Sequence, residues 1–265
     1  MRGKALKLSA PRRLVCDLMR FSIRVPRVTV QRRMNLTAVI QARRALDPRP
    51  SWTAIFLKGY GLLAQETPEL RRAYVKLPWP QLYEYPESVA SVAHERDYGG
   101  EPAVLLARIK APERASIAEV GVSIRDARSR PVLEIKDFRR ALRMARLPAL
   151  LRWPLMWLGL NLGRQRPNYF GTFQLSVYSG LGAESFNPLT PLTTLLNYGP
   201  IETDGSVNVR ILYDHRVMDG ATVARALERF EAILNGPVAE ELARLGERAA
   251  AAPPGRGRET HDLAR

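Results

Sequence analysis

Residues 203 to 234 constrain the fold of this chain more than any other stretch. After the turn signal Thr203-Asp204-Gly205, the residues Val207, Val209, Ile211 and Tyr213 alternate as in a strand with one buried face. Val223, Leu227, Phe230 and Leu234 then recur along one helix face, and Asp219-Gly220 opens that helix. A strand, a tight turn and an amphipathic helix in that order put His215 at the end of a sheet, on a connection, where rigid scaffolds often present catalytic groups. A plainer reading stands beside it, in which Asp219 only caps the helix, Gly220 relieves its first turn and His215 is an ordinary loop residue.

The rest of the chain repeats this mixture of periods. Val28, Val30, Arg32 and Met34 predict a strand over 27–34, followed by a helix over 36–46 and a second over 52–66 that ends before Pro68-Glu69-Leu70. Apolar runs at 88–93 and 103–109 flank Tyr98-Gly99-Gly100 as paired strands. Ser116 and Glu119 form a capping box that predicts a helix to Arg128, with Ile117, Val120 and Ile124 on its apolar face. Residues 171–178 and 192–198 read as two more strands. Residues 1–10 read as a flexible tail, and 247–265, with its Pro-Pro-Gly-Arg-Gly-Arg run, as a disordered one.

At 265 residues and 46% hydrophobic content the chain can bury a substantial core, as one large domain or two small ones. A single cysteine, Cys16, excludes an internal disulfide and a cysteine-rich zinc site. The scattered His94, His215 and His261 argue against a histidine metal cluster, so no metal is expected. A reducing cytoplasm fits this usage. The chain has no apolar run of about 18 residues to span a bilayer and no signal-peptide pattern in Met1 to Arg20. The net charge of +15 implies anionic partners: nucleic acid, lipid headgroups or a phosphate-bearing cofactor such as coenzyme A. A solvated arginine-rich surface accounts for it equally, and nucleic acid is disfavoured, since neither a zinc knuckle nor an RNA-binding aromatic signature nor helix-turn-helix spacing is found.

Asp214-His215-Arg216-Val217-Met218-Asp219-Gly220 resembles the His-x-x-x-Asp-Gly signature of chloramphenicol acetyltransferases and of the catalytic domain of 2-oxoacid dehydrogenase acyltransferases. Gly171-Thr-Phe-Gln-Leu-Ser176 is similar to the Gly-Thr-Phe-Thr-Ile-Ser stretch of the latter, and Phe186-Asn-Pro188 to its proline-containing loop. Arg12 to Met19 resembles its opening helix, Val25-Pro26 its next element, and Ser116 to Arg128 its helix beginning Ser-Leu-Ala-Glu, so the likeness runs with one interruption from about Pro11 to Leu245. The resemblance implies a two-layer α/β sandwich, a mixed sheet flanked by helices, spanning 11–246 and assembled as a homotrimer with active sites between subunits.

The same resemblance implies an acyltransferase that uses a coenzyme A thioester, or an acyl carrier protein, as co-substrate. His215 would be the general base and Ser176 the donor to the oxyanion. Asp219 would pair with an arginine, Arg13 or its neighbour Arg12, to hold the histidine loop, with Asp214 and Gly220 in support. The acceptor is left open as a hydroxyl, amine or thiol, on a small molecule or a lipid. Two other readings remain: a catalytically silent trimeric scaffold, and a dihydrolipoamide acyltransferase served by a separate lipoyl protein. Because no lipoyl domain precedes Pro11, no covalently bound lipoate is expected, nor is the ordinary core subunit of a 2-oxoacid dehydrogenase complex. Ser176-Val-Tyr-Ser179 also departs from the usual Ser-Asn-Leu-Gly.

The interruption is an insertion at about 139–166. Its apolar part, 147–162, carries Trp153 and Trp157 and is flanked by arginines, the composition of a segment lying in a membrane interface. A peripheral position on the inner face of the membrane is one expectation. A helical hairpin packed on the protein's own core or on a neighbouring subunit is the other.

Overall fold

The computed structural model describes residues 1 and 3–251. Ser9 accepts from the amide of Arg12 and caps α1 (Ala10–Ser22), so the helix begins inside the expected tail. The alternating run follows as β1 (Arg27–Asn35), then come α2 (Thr37–Arg44), α3 (Trp52–Glu66) and a small hairpin of β2 (Arg72–Val75) and β3 (Gln81–Glu84). β4 (Val89–Asp97) and β5 (Pro102–Lys110) pair around Gly99 and Gly100, both with positive φ. The capping box at α4 (Ile117–Ser129) forms with both of its hydrogen bonds.

The insertion folds as α5 (Lys136–Arg146), α6 (Ala149–Asn161) and the single turn α7 (Arg166–Tyr169). The remaining strands are β6 (Phe173–Leu175), β7 (Thr194–Tyr198) and β8 (Ser206–Asp214), followed by α8 (Gly220–Ile233) and α9 (Ala239–Ala251). The folded part was expected to stop at 246. Helix α9, anchored by the fully buried Leu242, runs on to Ala251, and the rest of the expected tail, 252–265, lies outside the described residues.

Six strands form one mixed sheet in the order β1-β8-β7-β6-β4-β5, antiparallel except for β7/β6 and β6/β4. The two-layer α/β sandwich read from the sequence is the observed architecture. One face of the sheet carries Val207, Val209 and Ile211 of β8, Leu196 and Tyr198 of β7, Phe173 and Leu175 of β6, and Ala90 and Val92 of β4. They join one core with α3, α4, α8 and α9, in which Phe56 stacks on Tyr198 at 3.9 Å between centroids and meets Phe230 edge-on at 5.9 Å.

The opposite face is polar along one row, where the register sets Gln31, Arg210 and Asn197 side by side. Arg210 donates to Gln31 and pairs with Glu184 of the loop that lies over this face, and its guanidinium sits 4.6 Å from the Phe186 ring centroid. Helices α1 and α5 pack together on β5 and cover that edge of the sheet, around Leu14, Leu105, Phe138 and Leu142.

Candidate active site

Strand β8 ends at the buried Asp214, whose amide donates to the carbonyl of Thr193. Its carboxylate accepts from the Arg216 amide at 3.0 Å, from Arg216 Nε at 2.9 Å and from Arg216 Nη2 at 2.7 Å, a fork-like clasp that closes the turn. The Arg216 guanidinium in turn lies 4.4 Å from the Tyr74 ring centroid. Between them the His215 amide donates to the Pro26 carbonyl at 2.9 Å. The histidine is thus held through its backbone, while its side chain remains 48% exposed and, among the described residues, makes no hydrogen bond. An imidazole held this way can exchange a proton with an incoming molecule.

Asp219 does not do what was expected of it. Its carboxylate is exposed and makes neither the helix-capping bond nor an ion pair with Arg13 or Arg12; it lies 3.6 Å from His215 Nδ1, too far for a hydrogen bond. Arg13 has a buried Nε with no partner and, among the described residues, no ion pair. The physical reason is position: Arg12 and Arg13 stand in the first turn of α1, whereas the histidine loop meets the chain at Pro26, past the other end of that helix, and the acid of α1, Asp17, faces α6. Arg152 Nε lies 2.5 Å from Asp17 Oδ2, and Trp153 Nε1 donates to Asp17 Oδ1 at 2.7 Å. Gly220 has a local reason to be glycine, because a Cβ there would approach the Tyr213 hydroxyl to 3.2 Å.

Ser176 follows β6 directly. Its amide donates to Leu196 and its carbonyl accepts from Asn197 Nδ2 at 2.6 Å, so it is level with Asn197 and hence with Arg210. His215 is five residues farther along β8, roughly 16 Å along the strands and about 10 Å across two of them. One chain therefore does not bring the two side chains together.

Sequence reasoning missed Arg166, counted there only as a flanking charge. It is buried, donates to the carbonyls of Tyr74 and Pro191, and has its guanidinium pushed below the ordinary arginine value by burial, against the opposing pull of Tyr85 and Asp214. Arg24, Lys76, Arg166 and Arg216 line one cavity of about 70 Å³ beside the histidine loop. Arg152, the other misread arginine, carried a signal: a lone cation inside an apolar run, with Asp17 the lone acid of a basic helix. Arg152 and Arg166 are thus spent within the protein, whereas Arg143 and Arg164 stay exposed, as do Leu150, Leu151 and Leu155 of α6; no helix is long and apolar enough to cross a membrane among the described residues.

The mixed sheet with its flanking helices is the fold of the acyltransferase catalytic cores of 2-oxoacid dehydrogenase complexes and of chloramphenicol acetyltransferase. The dihydrolipoamide acetyltransferase of Azotobacter vinelandii superposes with a TM-score of 0.66 at 17% identity, covering 89% of this chain and 93% of that one. A probable dihydrolipoamide acetyltransferase from Listeria monocytogenes gives 0.63 at 18% identity (88% and 94%), and the truncated catalytic core from Thermoplasma acidophilum 0.63 at 18% (89% and 99%). No protein-family model and no curated protein sequence matches the chain.

Proposed function

We propose that the chain is an acyltransferase that moves an acyl group from a coenzyme A or carrier-protein thioester to a hydroxyl, amine or thiol acceptor. The observation that carries this reading is His215, fixed through the Asp214–Arg216 clasp and the Pro26 carbonyl while its ring stays free and half exposed. The neutral imidazole takes the proton of the acceptor as that atom attacks the thioester carbonyl. The tetrahedral intermediate then expels the thiolate, which receives the proton from the imidazolium, leaving acylated acceptor and free thiol.

Ser176 would donate to the oxyanion, an interaction worth about 3 kcal/mol in a site shielded from water. Because it stands far from His215 along the sheet of its own chain, it would do so in a neighbouring copy, and the working form would be a homotrimer. The exposed Arg24 and Lys76 of the cavity beside the histidine loop offer the phosphates of coenzyme A a partner. The expected role of Asp219 shrinks to an exposed charge near His215. Dihydrolipoamide as the acceptor is a second reading, favoured by the likeness to the dihydrolipoamide acetyltransferase cores.

The test is thiol release from a panel of acyl-CoAs with candidate acceptors. His215→Ala should lose on the order of 10² to 10⁴ in rate, and undiminished turnover overturns the reading. Co-expressing His215→Ala with Ser176→Ala chains should restore part of the activity, since mixed oligomers recreate sites holding both side chains. Absence of any recovery in the co-expressed mixture refutes the shared site.

A further inference from the structure

Between the inserted helices and the polar face of the sheet lies a cavity of about 320 Å³. Ser91 of β4 and Leu106 of β5 form its floor, Leu14 of α1 and Met144 of α5 its sides, and Leu155 and Leu158 of α6 its mouth. It shares no lining residue with the basic cavity beside His215. A dry cavity of about 150 Å³ accommodates benzene, so this volume holds on the order of a dozen carbon atoms.

Two features of the walls are costly as they stand. The Ser91 side chain is 1% exposed and its Oγ has no hydrogen-bond partner. Leu155 and Leu158 of α6, with Leu162 just past its end, line the cavity yet stay 39 to 47% exposed. A single occupant resolves both, if its oxygen accepts from Ser91 and its apolar chain leaves past the leucines. Beside Ser91 no uncompensated cation awaits a carboxylate, because Arg108 is clasped by Asp137, and the other arginine of the lining, Arg140, is exposed and turned to the Asn168 carbonyl and the Tyr169 ring. A buried carboxylate there would lose its hydration without gaining a counter-charge.

We propose that this cavity binds a neutral chain of about a dozen carbons headed by one oxygen, of the fatty alcohol or fatty acyl ester class. Binding is independent of acyl transfer and is measured without turnover, in the natural protein and in His215→Ala alike, so it stands or falls apart from the catalytic reading.

The test is calorimetric titration of the full chain with primary alcohols from hexan-1-ol to tetradecan-1-ol. One-to-one binding should tighten about fourfold per added methylene and level off near twelve carbons, where the cavity is full. Decan-1-ol should bind more tightly than decanoate, and Ser91→Ala should weaken decan-1-ol about three- to tenfold. Ala141→Trp, which fills the space from α5, should weaken it at least tenfold; should that variant not fold, Leu158→Trp at the exposed mouth serves in its place. The proposal is overturned by absence of saturable binding, by affinity that climbs with length without a plateau, by tighter binding of decanoate, or by unchanged affinity in the filled variant.

Discussion

The two faces of the sheet are built on opposite principles. The face under α3, α4, α8 and α9 is a continuous apolar core whose order comes from packing, with Phe56, Tyr60, Phe173 and Phe230 fully buried and in contact. The other face carries Gln31, Arg210, Asn197 and Ser91, and what covers it is held by ion pairs: Arg210 to Glu184, Arg108 to Asp137, and Arg152 to Asp17 beyond its edge. Apolar packing tolerates no departure in volume and needs no angle, whereas a buried ion pair specifies partners. The packed face can therefore serve as scaffold, and the polar face can hold cavities and present a reacting surface.

If that contrast is right, truncation should cost most on the packed face. Phe56→Ala removes a ring that stacks on Tyr198 and touches Phe230, and should lower stability by about 4 kcal/mol. Denaturant unfolding measures it, and a loss near 1 kcal/mol would mean that this core is loosely packed. The same difference decides what could be read from sequence. Where packing rules, period and burial agree, so β1, β4, β5, β8, α3, α4 and α8 were legible from alternation, helical spacing and one capping box. Where ion pairs rule, the pattern misleads. Arg166 looks like a membrane-flanking charge and Arg152 like a lone cation in an apolar run until α6 is folded against α1, and Asp219 looks like a partner for Arg13 or Arg12 until those arginines are seen at the end of α1 away from the histidine loop. The likeness in the motif located His215 and Ser176 but could not reveal that one chain keeps them apart, because that distance depends on strand register.

A sharper probe of the polar side is the Asp17–Arg152 pair, almost fully buried on both sides. Arg152→Leu leaves a carboxylate without its counter-charge and should cost about 3 kcal/mol, the lower part of the range for breaking a buried pair, since Trp153 still donates to Asp17. The double variant Asp17→Leu with Arg152→Leu should recover most of that loss, because two leucines there need neither charge nor partner. Unfolding of both variants in parallel measures the difference. A double variant no better than the single one would show that the pair supplies more than mutual neutralisation to the seating of α6 on α1.

The smallest effect tests the boundary between the two regimes. His94 lies on β4 where the packed core meets α5, edge-on to Phe138 at 6.1 Å, with Nε2 buried and unpartnered. Burial, with Arg128 and Arg96 adding repulsion, pushes its imidazole down to about 4. A histidine with a depressed value takes up its proton more readily when unfolded, where the ordinary value is near 6.5. Its contribution to stability is therefore full above about pH 6.5 and is lost as pH falls toward about 4. Between pH 7 and pH 5.5 the loss should reach about 1.2 kcal/mol from this group. His94→Leu keeps an apolar side chain against Phe138 and removes the titration, so subtracting its pH profile from that of the natural protein isolates the term. Identical slopes in the two proteins over that window would mean that water or a counter-charge reaches His94, and that the packed core ends one strand earlier than its burial implies.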